Sequence, residues 1–416
     1  MNMSSIIEDV EARKLFNSRG DETLEIDIIT TDGFGRASAP AGASKGKAEV
    51  VSYPRGGVDK ALTKVEELVS PELIGMDAEE QKEIDALLHE IDGTENFKNI
   101  GGNTGFAISL AAAEAAATSY GSPLFQHLAG YLANELPYPL GNVLGGGKHT
   151  AGKTTDIQEY LVIPLKAPSF TEAARANILV HQKIGAALKK ADKNFTGGTG
   201  DEGAWAPNIK NEEALKIVVE ACKEVSDERG TECRSGLDVA ASSLWRQKEN
   251  VYVYSSEGTK RDSGEQLDFM LHLIKDYKLA YVEDPFHEED YESFAELMKK
   301  AKDCLICGDD LFVTNRERLI KGIKTCAGNS IIIKTNQVGT LTDAWETTRL
   351  AKRAQYVPVM SHRSGETTDS HISHLAVAFS CPIIKTGVLH GERVSKINEL
   401  IRIEETIGDR AQMAIF

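Results

Sequence analysis

Residues 305–309 read Leu305-Ile306-Cys307-Gly308-Asp309, and residues 330–334 read Ser330-Ile331-Ile332-Ile333-Lys334. Each is a short apolar run that closes on a charged side chain. Runs of this length read as buried strands, and the pattern recurs after about residue 137, with candidate strands at 157–163, 236–240, 280–283, 305–309, 331–334, 356–361 and 383–386. Between them, Leu215/Val218/Val219/Cys222, Leu267/Met270/Leu271/Ile274, Phe294/Leu297/Met298/Ala301 and Ile372/Leu375/Ala376/Phe379 keep the spacing of one helix face. Strands alternating with helices specify a parallel sheet, either closed as a barrel or open and doubly wound. The charged residues decide between the two. Asp238, Glu283, Asp309, Lys334, His362 and Lys385 each lie at or just after the C-terminal end of an apolar run, and a barrel brings such ends together on the face where its active sites are built.

Upstream the pattern differs. Leu24-Glu25-Ile26-Asp27-Ile28 alternates like a strand, residues 33–46 read as a Gly/Ser/Ala loop, and helices follow. Leu62, Val65 and Val69 share a face, Ile84, Leu87, Leu88 and Ile91 follow an Asp77-x-x-Glu80 capping pattern, and an Ala-rich helix spans roughly 104–119. Leu136-Pro137-Tyr138-Pro139 reads as the exit from this part. The expected organisation is an N-terminal α+β capping domain over 1–136 and an α/β barrel over 137–416.

Composition narrows the function. A 416-residue chain with 41% hydrophobic residues can bury a large core. Its formal charge of −16 and lack of Lys/Arg-rich blocks argue against nucleic acid or a membrane surface as partner and favour a small-molecule substrate. No long apolar run or basic-then-apolar start is present, so a cytoplasmic protein is expected. Six cysteines are too sparse for a disulfide scaffold. Cys304 and Cys307 read as strand residues with free thiols rather than as a redox or metal motif.

Asp238, Glu283 and Asp309 offer only oxygen, which suits a hard cation such as Mg²⁺. Without a cation, three clustered carboxylates would repel one another and raise their own pKa values. Lys334 ends a very apolar run, so burial and a nearby cation both favour its neutral amine, which makes it the candidate base. A second set lies on Gly-rich segments: His149 after Gly145-Gly146-Gly147, Gln158-Glu159, and Glu202 within Gly200-Asp201-Glu202-Gly203. If Glu159 and Glu202 are paired, they resist double ionisation, and one of them can carry a proton at neutral pH. The chemistry that fits is removal of a proton alpha to a carboxylate, followed by loss of a hydroxyl from the next carbon.

With these residues in place, the sequence resembles enolase over essentially its whole length. The resemblance is carried by Asn17-Ser18-Arg19-Gly20, the segment from Gly35-Arg36-Ala37 to Ser44-Lys45-Gly46, Gly200-Asp201-Glu202-Gly203, Gly236-Leu237-Asp238, Glu283-Asp284-Pro285-Phe286, Gly308-Asp309-Asp310-Leu311, Lys334-Thr335-Asn336-Gln337-Val338-Gly339-Thr340 and Ser361-His362-Arg363-Ser364-Gly365-Glu366-Thr367. It implies dehydration of 2-phosphoglycerate to phosphoenolpyruvate with two Mg²⁺ per site. Asp238, Glu283 and Asp309 would hold the first ion, and Ser44 would help hold the second. Lys334 would take the C2 proton, and Glu202, supported by Glu159, would protonate the leaving hydroxyl. His149 would close over the substrate, Arg363 and Ser364 would hold its phosphate, Lys385 its carboxylate, and His362 and Gln158 would complete the wall. The pairing of a lysine base with Mg²⁺ is the general pattern of enolase-superfamily sites.

The resemblance further implies a barrel whose early strands depart from simple (βα)₈ order, assembled as a homodimer or homo-octamer. Segments 17–22, 148–153 and 387–392 and Thr335 depart from the usual family pattern, the last two in the direction of archaeal members. A different enolase-superfamily lyase would lack the phosphate pair Arg363 and Ser364. A non-catalytic barrel protein would have lost acid, base or metal residues, and the chain retains them all.

Overall fold

The computed structural model describes residues 3–42, 46–150, 152, 154–191 and 195–416. The chain begins as an antiparallel meander of β1 (Ile7–Phe16), β2 (Glu22–Thr30) and β3 (Phe34–Ser38). β2 alternates as its sequence predicts: Leu24, Ile26 and Ile28 are fully buried, while Asp27 on the other face is held by Arg13 at 2.5 Å and Arg36 at 2.7 Å. β3 falls where a loop was expected. Its strand character comes from packing, because a Cβ on Gly35 would stand 1.9 Å from the carbonyl oxygen of Ala111. Glycine lets the strand lie directly on the helix Gly102–Ser119, whose Ala111, Ala112 and Ala115 are equally small and buried.

The helix Gln81–Asp92 buries Ile84 and Leu88 as its spacing predicts, but the Asp77-x-x-Glu80 pattern forms no capping box. Glu80 is the N-cap residue and makes no side-chain cap bond; Asp77 accepts from Ser5 Oγ and from the Glu79 amide instead.

β4 (Glu135–Leu136) leads into β5 (Tyr138–Gly145), β6 (Glu159–Leu165) and β7 (Glu232–Asp238). A small antiparallel sheet of β8 (Trp245–Arg246), β9 (Val251–Tyr254) and β10 (Thr259–Arg261) follows. Then come β11 (Tyr281–Glu283), β12 (Leu305–Gly308), β13 (Ser330–Ile333), β14 (Val357–Ser361) and β15 (Ile383–Lys385), and β16 (Gln412–Met413) returns to pair with β4. Among the described residues, eight strands close a barrel in the order β5-β6-β7-β11-β12-β13-β14-β15. Alternate side chains fill its inside, among them Leu140, Leu161, Cys307, Ile332 and Val359. Ile306, Ile331, Ile333 and Ile384 belong to the larger core that the surrounding helices share.

β6 runs antiparallel to both of its neighbours. A reversed strand ends on the opposite face, so two helices, Phe170–Ala191 and Asn211–Arg229, are needed to return the chain to the start of the parallel β7. The reversal has two results for the site. Glu159, at the start of β6, lies level with Asp238 at the end of β7, and the connection between the two helices brings Glu202 to the same face.

All six cysteines are free thiols, and burial pushes Cys304 up to about 12 and raises Cys307 well above the usual thiol range. Among the described residues no helix is long and apolar enough to cross a membrane.

Beneath the turn that follows β12, Phe312 is fully buried against Gly308 and Gly322, where a Cβ would come within 2.7 and 2.4 Å of its ring. Phe312→Ala should lower stability by about 3–5 kcal/mol through lost burial and an unfilled cavity, measured as a shift in the urea midpoint. A loss under about 1 kcal/mol would show that this turn repacks freely.

Candidate active site

The parallel barrel strands deliver their last side chains to one face, and the charged ones meet there. Asp238 ends β7 and Glu283 ends β11, paired in register. Asp309 and Lys334 follow β12 and β13, His362, Arg363 and Ser364 follow β14, and Lys385 ends β15. Together with His149, Gln158, Glu159 and Glu202 they surround a cavity of about 40 Å³, except that Glu283 is not among its lining residues. Ser44 lies outside the described residues.

Lysines neutralise the acids. Lys385 Nζ stands 2.8 Å from Glu283, 3.0 Å from Glu159 and 3.1 Å from Asp238, and Lys334 Nζ is paired with Asp309. Burial alone would drive both amines toward neutrality, as the sequence suggested for Lys334. Here the facing carboxylates outweigh burial and hold both lysines above the usual range. Glu283 is pushed up to about 8, first by burial and then by Asp238. Its Oε1 is buried without a hydrogen-bond donor among the described residues. An all-oxygen set with an unsatisfied carboxylate oxygen fits a hard divalent cation.

Asp284, Asp309 and Asp310 bring carboxylate oxygens within 4.8 Å of one another. Asp284 is accounted for by the backbone, since it accepts from the amides of Asp309 and Asp310 at 3.2 and 2.7 Å and fixes the turn that presents Asp309. Burial followed by its acidic neighbours pushes Asp310 up to about 7.

On the opposite wall, Glu159 and Glu202 form the pair that the sequence suggested. His149 Nδ1 lies 3.3 Å from Glu159 and 3.7 Å from Glu202. His149 reaches them from a 3-10 turn, Gly147–His149, where a Cβ on the preceding Gly146 would meet Thr155 Oγ1 at 2.1 Å. Burial and then the charge of Glu202 raise Glu159. Burial disfavours the Glu202 carboxylate as well, but His362, His149 and Arg393 outweigh it and hold Glu202 low. Two carboxyls so close resist double ionisation.

Several neighbours were given no role by the sequence. Asn142 donates to Glu202 at 3.0 Å, and Gln337 donates to Asp309 at 3.1 Å. Arg363 is gripped by Glu49 through Nη2 at 3.0 and 3.2 Å and by Asn336 through Nη1 at 3.0 Å. Glu49 comes from the segment after β3, and nothing in its local sequence tells a buried partner from a solvated glutamate.

An all-oxygen acid cluster, two buried lysines and a facing pair of glutamates on one face of a barrel can hold a hard divalent cation and move protons to and from a bound substrate. Comparison with known proteins narrows the class. Residues 7–128 match the family described as enolase, N-terminal domain, and residues 133–415 match enolase, C-terminal TIM barrel domain. The chain is 58% identical to an enolase from Methanosphaera stadtmanae, over 97% of this chain and 98% of that one. It is 55% identical to an enolase from Methanothermobacter thermautotrophicus, over 97% and 98% of the two chains. An enolase from Pyrobaculum aerophilum is 49% identical over 97% of each. The chain belongs to the enolase family.

Proposed function

We propose that the protein is a hydro-lyase that interconverts 2-phospho-D-glycerate and phosphoenolpyruvate in glycolysis and gluconeogenesis. The observation that carries this reading is one cavity lined by Asp238, Asp309, the two lysines, the Glu159–Glu202 pair and the Arg363–Ser364 pair, in a chain that matches enolases along nearly its full length. Mg²⁺ held by Asp238, Glu283 and Asp309 would supply counter-charge where negative charge develops on the substrate carboxylate. A second ion, and the part of Ser44 in holding it, are carried over from the family resemblance.

Lys334 takes the C2 proton. It needs a free amine to do so, and in the ligand-free structure Asp309 keeps it protonated. The base is therefore released only when Asp309 is engaged elsewhere. Glu202 protonates the departing C3 hydroxyl. The negative charge of the substrate raises this carboxyl, and Glu159, in the same cluster, replenishes its proton. His149 closes over the substrate beside both glutamates. Arg363 keeps Nε and one Nη1 hydrogen for the phosphate, because Glu49 and Asn336 take its other donors, and Ser364 stands next to it. Lys385 serves the substrate carboxylate, while Gln158, 3.4 Å from Asp238, and His362 form the wall.

Glycerate with and without its 2-phosphate tests the substrate. With Mg²⁺ present, the phosphorylated acid should be dehydrated and the unphosphorylated one left intact. Equal turnover of both would remove the phosphate role from Arg363 and Ser364.

We further place the protein in the cytoplasm as a homodimer or homo-octamer. A groove of about 890 Å³ between the N-terminal sheet and the barrel, lined by the exposed Phe16 and Phe34, supports self-association. Sedimentation as a monomer at micromolar concentration would contradict it.

A further inference from the structure

Arg393 is a fully buried guanidinium that the reaction scheme leaves without a task. It enters from the helix Gly391–Ile407 and uses its fork on two loops at once. Nη1 donates to Nδ1 of His362 at 2.8 Å and to the carbonyl oxygen of Arg363 at 2.7 Å. Nη2 donates to the carbonyl oxygens of Ser364 at 2.6 Å and Asp201 at 3.4 Å. One side chain thus ties the loop after β14 to the loop that carries Glu202.

The bond to His362 has a chemical consequence. A guanidinium offers no acceptor and does not lose its proton. The contact therefore requires a lone pair on Nδ1. A neutral imidazole with a bare Nδ1 carries its hydrogen on Nε2, and Nε2 lies 3.4 Å from Glu202 Oε1. A doubly protonated ring would set one N–H against another on a fixed cation. Burial acts in the same sense and pushes the imidazolium down to about 4.

We infer that Arg393 is a positioning residue that locks His362 as the neutral Nε2–H tautomer, so that His362 donates a hydrogen bond to Glu202 and cannot accept one from it. This role rests on Glu202 being the general acid. Its effect is to leave the proton of Glu202 no route to His362, so that it goes to the substrate. The carboxylate that remains finds a donor already aimed at it.

The tautomer is read directly by nitrogen NMR of ¹⁵N-histidine-labelled protein at pH 7, with His362 assigned by its disappearance in His362→Gln. Nδ1 should resonate as a bare acceptor nitrogen and Nε2 as a protonated one. A protonated Nδ1, in either a neutral or a charged ring, overturns the inference. Arg393→Lys keeps the charge and loses the fork. It should let His362 populate the Nδ1–H form and should lower kcat by about 10–100-fold, by analogy with the loss of a hydrogen-bond partner that orients a metal-bound histidine. An Arg393→Lys variant with the unaltered His362 spectrum and kcat also overturns it. If that variant does not fold, the spectrum of the unaltered protein decides alone. That spectrum requires no substrate, so a failed dehydration assay beside an Nε2–H ring would sink the reaction and leave the tautomer standing.

Discussion

Lys334→Ala should abolish exchange of the C2 proton of 2-phosphoglycerate with solvent and lower kcat by about 10⁴-fold, the upper end of what a positioned base contributes. The size of the effect follows from how the residue is held. Its amide donates to Thr314 Oγ1 at 2.9 Å, directly after the fully buried Ile331, Ile332 and Ile333, so the chain brings Nζ to one place. Among the described residues its ion-pair partner is Asp309. Truncation leaves the strand intact, and the variant should fold and still bind Mg²⁺. Exchange measured by proton NMR in D₂O separates base from acid, because it reports removal of the C2 proton whether or not the hydroxyl leaves. A variant that still exchanges at the original rate moves the base to another group.

Glu202→Gln should give the complementary result. The amide keeps the shape and can still accept from Asn142, but it has no proton to deliver. Dehydration should fall by about 10³–10⁴-fold while C2 exchange continues. The contrast depends on the two groups facing the substrate from different walls. Lys334 belongs to the side of Asp309 and Gln337, Glu202 to the side of His149, His362 and Asn142. If Lys334→Ala and Glu202→Gln lose exchange alike, the acid and base assignments fail together.

Much of this architecture could be read in the residues because strand ends in a parallel barrel are apolar runs that stop at a charge. Ile331-Ile332-Ile333-Lys334 shows its strand, its burial and its functional residue in four letters. Tyr138–Gly145 hides the same role. Tyr138-Pro139-Leu140-Gly141-Asn142 carries Pro and Gly, which signal a turn, yet the strand is buried throughout. Gly141 is needed because a Cβ there would meet Val388 and Asn177 at 2.5 and 2.9 Å. Tertiary packing, not local pattern, sets that element, and so it does for β3 against its alanine helix.

The site divides along the same line. Asp238, Glu283, Asp309, Lys334 and Lys385 are legible from spacing and charge. Glu159 reaches the site only because β6 is reversed, and no local pattern announces a reversal. Glu49, Asn142, Asn336 and Arg393 act through partners far away in sequence, 314 residues in the case of Glu49 and Arg363. The charge states also depend on spatial partners: burial and a nearby cation favour a neutral Lys334, and in the ligand-free fold the facing Asp309 holds the amine above its usual range.

The central claim is a metal-assisted dehydration carried out at the strand ends, and turnover in the unaltered protein tests it most directly. 2-Phosphoglycerate is supplied with Mg²⁺, the ultraviolet absorbance of the product enol is followed, and EDTA is then added. The absorbance should rise with Mg²⁺ and stop rising once the chelator is in excess. No rise with Mg²⁺, or a rise that continues unchanged in EDTA, would contradict the account.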